Sequence, residues 1–254
     1  MPTAAVVIIG DEILTGKFAD ENGPFLIRRF AELGTDLRRM AIIGDGVPEI
    51  ADEVARAAAA CDHVLTTGGV GPTHDDRTLE GVAAAFDLSL ELRSEITSLL
   101  DRFGMEHNAA NLRMATLPEG AILVDAPGSH FPVVRVRNVW VFPGVPSLMR
   151  AKFEDVAASF AGEQVCTIRL FCTQNESDIA HHLAAAQVAF PTVTIGSYPR
   201  WGEDHFRVMV SLDSRDREAL DRAADTLRGS LELVEPPGVG ADVEHDDPAS
   251  QPPS

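Results

Sequence analysis

Short apolar runs alternate with segments of helical periodicity from residue 4 to residue 160, and this alternation narrows the fold more than any other feature. Residues 4–9, 37–43 and 63–67 read as buried strands, and 21–33, 48–60, 77–86, 94–103 and 109–115 as helices. Strand-like segments at 121–124, 133–136 and 139–142 follow, and a helix at 147–160 closes the series. Strands and helices in turn predict an α/β fold of three layers, a mostly parallel sheet between helices. Ligands of such folds sit beyond the carboxyl ends of the strands. From residue 165 the pattern becomes strand 165–172, helix 177–186, strands 193–198 and 206–212, and helix 215–231. We expect domains at 1–162 and 163–235, the second a small βαββα unit, then a disordered, acidic, proline-rich tail at 236–254.

The third strand runs into Gly68-Gly69-Val70-Gly71-Pro72-Thr73-His74-Asp75-Asp76-Arg77, and Thr78 opens the next helix. Glycines after a strand let backbone N–H groups approach a ligand closely, and a helix N-terminus behind them favours phosphate. Gly68, Gly69, Gly71, Pro72, Thr73 and Thr78 are therefore candidate phosphate or nucleotide contacts. Carboxylates beside a phosphate repel it unless a cation mediates, and Mg²⁺ is commonly held by one or two carboxylates plus phosphate oxygens. The segment thus suggests a metal-assisted phosphate site. The same residues also suit a purely structural turn in which Asp76 caps the helix. His74 is equally a phosphate contact or a surface residue.

Three further loops join it. Gly10 to Gly16 carries Asp11 and Glu12, with Asp20 and Asn22 close behind. The two acids suit metal binding, or hydrogen bonding to a sugar or base; the structural alternative has Asp11 capping a turn and Asp20 capping the helix. Gly44-Asp45-Gly46 places Asp45 at the end of the second strand, where we expect it to face Asp76 and share one divalent ion or orient a water. An ordinary Asp-Gly turn is the alternative. Pro143, Gly144 and Pro146 lie in the last loop, where the amides of Gly144 and Val145 are open to a phosphate and Pro146 starts a helix. Elsewhere, Tyr198, Arg200 and Trp201 end a strand of the second domain, where they either stack on an aromatic ring or cap a core. His181 and His182 have no partner at metal spacing and are expected in solvent.

A formal net charge of −18 argues against passive binding to nucleic acid or an anionic membrane, since both need a basic footprint. Lysine occurs only at positions 17 and 152, which we read as compositional bias. Cys61, Cys166 and Cys172 lack CxxC spacing, so reduced thiols and a cytoplasmic location are expected. Residues 2–9 are apolar but too short for a secretory leader, and no apolar run reaches transmembrane length.

Taken together, GDEILTGKFADEN, GDG at 44–46, TTGGVGPTHDDRT, LPEGA at 117–121 and FPGVPSLM at 142–149 resemble one family in order and spacing. It is the MoaB/MogA-type molybdopterin-binding family, in the branch of the CinA N-terminal domain. The bacterial branch carries an NP-x-GTAPGF segment before FPGVP, whereas here the stretch is DAPGSHFPVVRVRNVWVFPGVP. That form is similar to the N-terminal domain of eukaryotic FAD synthase. ESDIAHHLAAAQ and GSYPRWGEDHFRV extend the likeness to about residue 235. Neither the FMN-adenylating module nor the CinA amidase module is represented in these 254 residues. The resemblance implies metal-dependent cleavage of adenosine diphosphate compounds such as FAD or ADP-ribose. It makes Asp45 and Asp76 the essential acidic pair and metal ligands (Mg²⁺, Mn²⁺ or Co²⁺), with Asp11 and Glu12 beside them. The alternative it implies is binding or adenylylation of molybdopterin, or nucleotide binding without turnover. Relatives are dimers or trimers, so a homo-oligomer is expected.

Overall fold

A computed structural model describes residues 1–126, 131–200 and 205–235 of the chain. They fall into two compact units that divide after Gln164.

The first unit runs β1 (Thr3–Ile9), α1 (Asp11–Leu14), α2 (Asn22–Leu33), β2 (Asp36–Ile43), α3 (Val47–Ala60), β3 (His63–Thr67) and α4 (Thr78–Ala85). It continues with β4 (Leu90–Leu92), α5 (Ser94–Arg102), α6 (Ala109–Met114), β5 (Thr116–Pro118), β6 (Ile122–Val124), β7 (Val133–Val136), β8 (Val139–Phe142) and α7 (Pro146–Val156). Its main sheet has the order β2-β1-β3-β8-β7-β6. The β2–β1, β1–β3 and β3–β8 pairs are parallel, while β8–β7 and β7–β6 are antiparallel. This is the three-layer, mostly parallel α/β fold that the alternation predicts.

From Ala4 to Ile9, β1 is apolar without a break, and its packing shows why. Ala5, Val7 and Ile9 enter one core with α3, α4 and α5, while Ala4, Val6 and Ile8 enter the other with α2 and α7. A strand covered on both faces has no position left for a polar residue. In the second core, Phe30, Phe153 and Phe160 pack edge-on or stacked at 5.5–5.8 Å between centroids.

The second unit contains β9 (Cys166–Cys172), α8 (Glu176–Ala189), β10 (Thr194–Pro199), β11 (Val208–Ser214), α9 (Arg217–Arg228) and β12 (Leu233–Val234). Its sheet, β10-β11-β9-β12, is antiparallel throughout. A buried core of Leu170, Val210, Leu212, Ile179, Leu220 and Leu227 joins it to α8 and α9.

Three expectations need correction. The expected helix at 147–160 starts at Pro146 and gives way to a 3₁₀ turn over Ala157–Phe160. The βαββα unit carries an extra short strand, β12, against β9. β4 and β5 form a separate two-stranded sheet that was not expected; three residues each are too few to show a period. Pro127–His130, Trp201 and the tail from residue 236 lie outside the described residues.

Candidate active site

The carboxyl ends of β1, β2, β3 and β8 lie side by side in the sheet, so the four loops named from sequence converge. Gly68 shows how closely. Its φ is +105°, and a Cβ there would stand 2.1 Å from the carbonyl oxygen of Ile9 at the end of β1. Across from it, a Cβ on Gly144 would come within 3.2 Å of the Gly68 Cα. Any side chain at these two positions would wedge the loops apart.

Asn22 ties the loops together. It is 5 % exposed at the start of α2, and its Nδ2 donates to Thr67 Oγ1 and to the Gly144 carbonyl, both at 2.8 Å. Thr67 Oγ1 in turn donates to the Pro143 carbonyl. Asp20, one residue before the N-cap Glu21, accepts from the Asn22 and Gly23 amides, and so orders the first turn without being the cap that the structural alternative made it. Thr78 is fully buried, with its hydroxyl donating to the Gly68 carbonyl at 2.7 Å and its amide to the Gly69 carbonyl at 2.9 Å. It holds the glycine loop from behind.

The acids separate into two groups. The Asp11 amide donates to Asp45 Oδ2 at 3.1 Å. Burial pushes the Asp45 carboxyl up, and the neighbouring charges of Asp11, Glu12 and Asp75 push it further, against the lowering effect of that hydrogen bond. Asp76 belongs to the second group. Its Oδ2 accepts from the Thr73 amide at 2.8 Å and from the Thr73 hydroxyl. It does not cap α4: Arg77 occupies that position, without a side-chain cap. Asp45 thus stands beside Asp11 and Glu12, and Asp76 is folded onto its own loop through Thr73. Thr73 has both donors engaged by Asp76. His74 is exposed next to Asp75.

Between these elements opens a cavity of about 920 Å³. One end is made by Gly68, Gly69, Gly71, Gly144, Glu12 and Asp76. The other is made by Phe103, Phe131, Met105, Ile96 and Leu117, and Met114 of α6 reaches from it to a recess that it shares with Gly69, Gly71 and Asp76. Two helices, α4 and α7, begin at its wall, and neither has a side-chain cap. The Thr78 amide is taken by the Gly69 carbonyl and Pro146 has no N–H, so the amides that follow, of Leu79 and Glu80 and of Ser147 and Leu148, are the ones left for an anion.

The sequence reading passed over two cations. Arg113 donates to the Thr73 carbonyl at 2.9 Å and lines a smaller recess with Gly69, Gly71 and Asp76. Lys152 lines the main cavity at 8 % exposure. Burial lowers its pKa to about 8. Neither belongs to a motif; the scarcity of lysine was the only signal for the second.

The donors fit a hard divalent cation. They are carboxylate oxygens in the loops that follow the strands, and a cation offsets the burial and the neighbouring charges that raise the Asp45 pKa. No group of three or more His, Cys, Asp or Glu side chains among the described residues is arranged to hold a metal alone. A cation completed by ligand phosphates needs only one or two carboxylates.

Comparison with known proteins agrees with this architecture. Residues 5–162 match the family described as "Probable molybdopterin binding domain", and the chain belongs to it. Residues 164–235 match the "FAD synthase, middle domain". A "Probable FAD synthase" of Caenorhabditis elegans is 33% identical over 258 residues, covering 90% of this chain and 50% of that protein. The chain spans about half the length of that relative. A CinA-like protein of Parasynechococcus marenigrum is 34% identical, over 88% of this chain and 57% of its own. Among solved structures, CinA of Thermoplasma acidophilum, described as of unknown function, superposes with a TM-score of 0.58 at 27% identity, covering 63% of this chain and 98% of that one. No helix among the described residues is long and apolar enough to cross a membrane.

Proposed function

We propose that this protein is a metal-dependent pyrophosphatase that cleaves adenosine diphosphate compounds, FAD or ADP-ribose, to AMP plus FMN or ribose phosphate. The observation that supports this most is the two-ended cavity: glycines, uncapped helix starts and acids at one end, and an apolar, aromatic end opposite. A diphosphate joined to a planar ring has that same polarity. The volume, about 920 Å³, suits a dinucleotide. Relatives named as probable FAD synthases add support.

The amides of the glycine loop and of the α4 and α7 starts hold the phosphate oxygens, and Arg113 adds positive charge beside Gly69 and Gly71. Asp45 and Asp76, with oxygens of the diphosphate, are the groups that would hold Mg²⁺, Mn²⁺ or Co²⁺. When bound, the ion would neutralise charge developing on the diphosphate and lower the pKa of the attacking water. Asp11 or Glu12 orients that water or a ribose hydroxyl. Water adds to one phosphorus, the bridging oxygen leaves with the other phosphate, and two monophosphates result.

Asp76→Asn tests the role of the acids. It removes a charge from an exposed loop, so the fold should persist, while turnover should fall ~100-fold or more. Full turnover by the folded variant contradicts the assignment. A second reading, molybdopterin binding or adenylylation, is favoured by the family description of residues 5–162. Gene deletion separates the two: lost molybdoenzyme activity supports the second reading, and altered flavin or ADP-ribose pools support the first.

A further inference from the structure

Lys152 takes no part in the hydrolytic step, and its placement is unusual. It stands on α7 in the cavity wall, nine-tenths buried. Its Nζ donates to the carbonyls of Phe131 and Pro132, the latter at 3.0 Å. An ammonium has three donors, and these bonds use two. The Phe131 ring lies 5.8 Å from Phe103 at the apolar end. Glu12 and Asp76 are the other charged groups of the cavity lining, both at the glycine end. The charged neighbour that acts on the ammonium is Asp155, on its own helix, and its effect is outweighed by burial. Holding a cation in an apolar wall is costly and adds nothing to packing that a methionine would not supply.

We infer that Lys152 reads the flavin ring of the ligand: its Nζ donates to a carbonyl oxygen of an isoalloxazine seated between Phe103, Phe131, Met105 and Met114, which selects FAD over ADP-ribose, whose fused ring is only the adenine common to both. The inference rests on the pyrophosphatase reading. A flavin presents two carbonyls on one edge, and a cation beside that edge is a recognised way for a protein to tune the ring. FAD and ADP-ribose share the whole ADP half and differ only in what lies beyond it. Lys152 therefore distinguishes them, whereas a phosphate contact would not.

The experiment compares wild type with Lys152→Met and Lys152→Gln. AMP release from FAD and from ADP-ribose with Mg²⁺ gives the ratio of the two kcat/KM values, and titration of FMN by flavin fluorescence gives binding without turnover. One charge-assisted hydrogen bond corresponds to about tenfold or more. We expect kcat/KM for FAD and the affinity for FMN each to fall about tenfold, with ADP-ribose within about twofold of wild type. ADP-ribose turnover also reports folding, and Lys152→Gln serves if Lys152→Met fails to fold. An unchanged FAD to ADP-ribose ratio, whether both activities persist or both fall, overturns the inference and leaves the pyrophosphatase reading intact. If wild type releases AMP from neither compound, that reading fails and the inference falls with it.

Discussion

The two ends of the cavity are built by different means. The glycine end is backbone: amides, carbonyls and two helix starts, held by Asn22, Thr67 and Thr78 from behind. The apolar end is side chains drawn from α5, α6, β5 and the segment before β7, with one buried ammonium. Backbone sites tolerate almost no change, because the missing Cβ is itself the binding surface. Side-chain sites can be re-cut residue by residue. The difference teaches that ligand class resides at the first end and ligand choice at the second.

Gly68→Ala attacks the first end where it is tightest. A Cβ 2.1 Å from the Ile9 carbonyl, at a φ of +105°, must displace the end of β1. We expect a loss of about 2–4 kcal/mol in stability and loss of turnover on every substrate. A denaturant titration that leaves the variant within about 0.5 kcal/mol of wild type would show that the loop yields, and the contrast would collapse.

Lys152→Met probes the second end through pH. The folded pKa of Lys152, about 8, lies below its ordinary 10.5. Between those values the unfolded chain holds the proton and the folded chain does not, so wild-type stability rises with pH across that window. At pH 7 the buried charge costs ~3 kcal/mol gross, and its removal should stabilise by about 1–2 kcal/mol once two carbonyls have lost their donor. The advantage of Lys152→Met should shrink from pH 8 towards 10.5 in melting experiments. A constant difference across that range would mean that Lys152 is not titrating there.

Asp45→Asn should have the smallest effect on stability. Its raised pKa means that the ionised form is disfavoured by folding: stability is fully present below the ordinary carboxylate value and is lost as pH rises through the raised one. At neutral pH the amide should therefore melt slightly higher. Asp45 is only partly buried, so the gain is under ~1 kcal/mol, about 2–3 °C. Mg²⁺ should raise the melting temperature of wild type more than that of this variant. A lower melting temperature without metal would show that the Asp11 amide bond outweighs the crowding.

The same contrast explains what could be read in advance. Gly68, Gly69, Gly71 and Gly144 were legible because a backbone site can be written with few residue types, and strand ends bring them together in an α/β fold. β1 was legible because burial on both faces removes every polar residue. The hydrogen-bond partners of the two acids were not, since strand order places two loops near each other without fixing what their carboxylates meet; Asp76 takes the Thr73 amide and Asp45 the Asp11 amide. Lys152 was illegible for a related reason. Its carbonyl partners lie about twenty residues earlier in a connection without periodicity. The apolar end looks in sequence like core residues of α5 and α6, and only the unfilled space beside them shows otherwise.

The most direct measurement is AMP release by the purified protein from FAD and from ADP-ribose, with ADP as control, with and without Mg²⁺, Mn²⁺ or Co²⁺. The account predicts AMP with FMN or ribose phosphate in equal amounts, only when a divalent ion is present, and none from ADP. No AMP with any metal, together with calorimetric binding of molybdopterin or a nucleotide, would contradict it and make the protein a binding or adenylylating one.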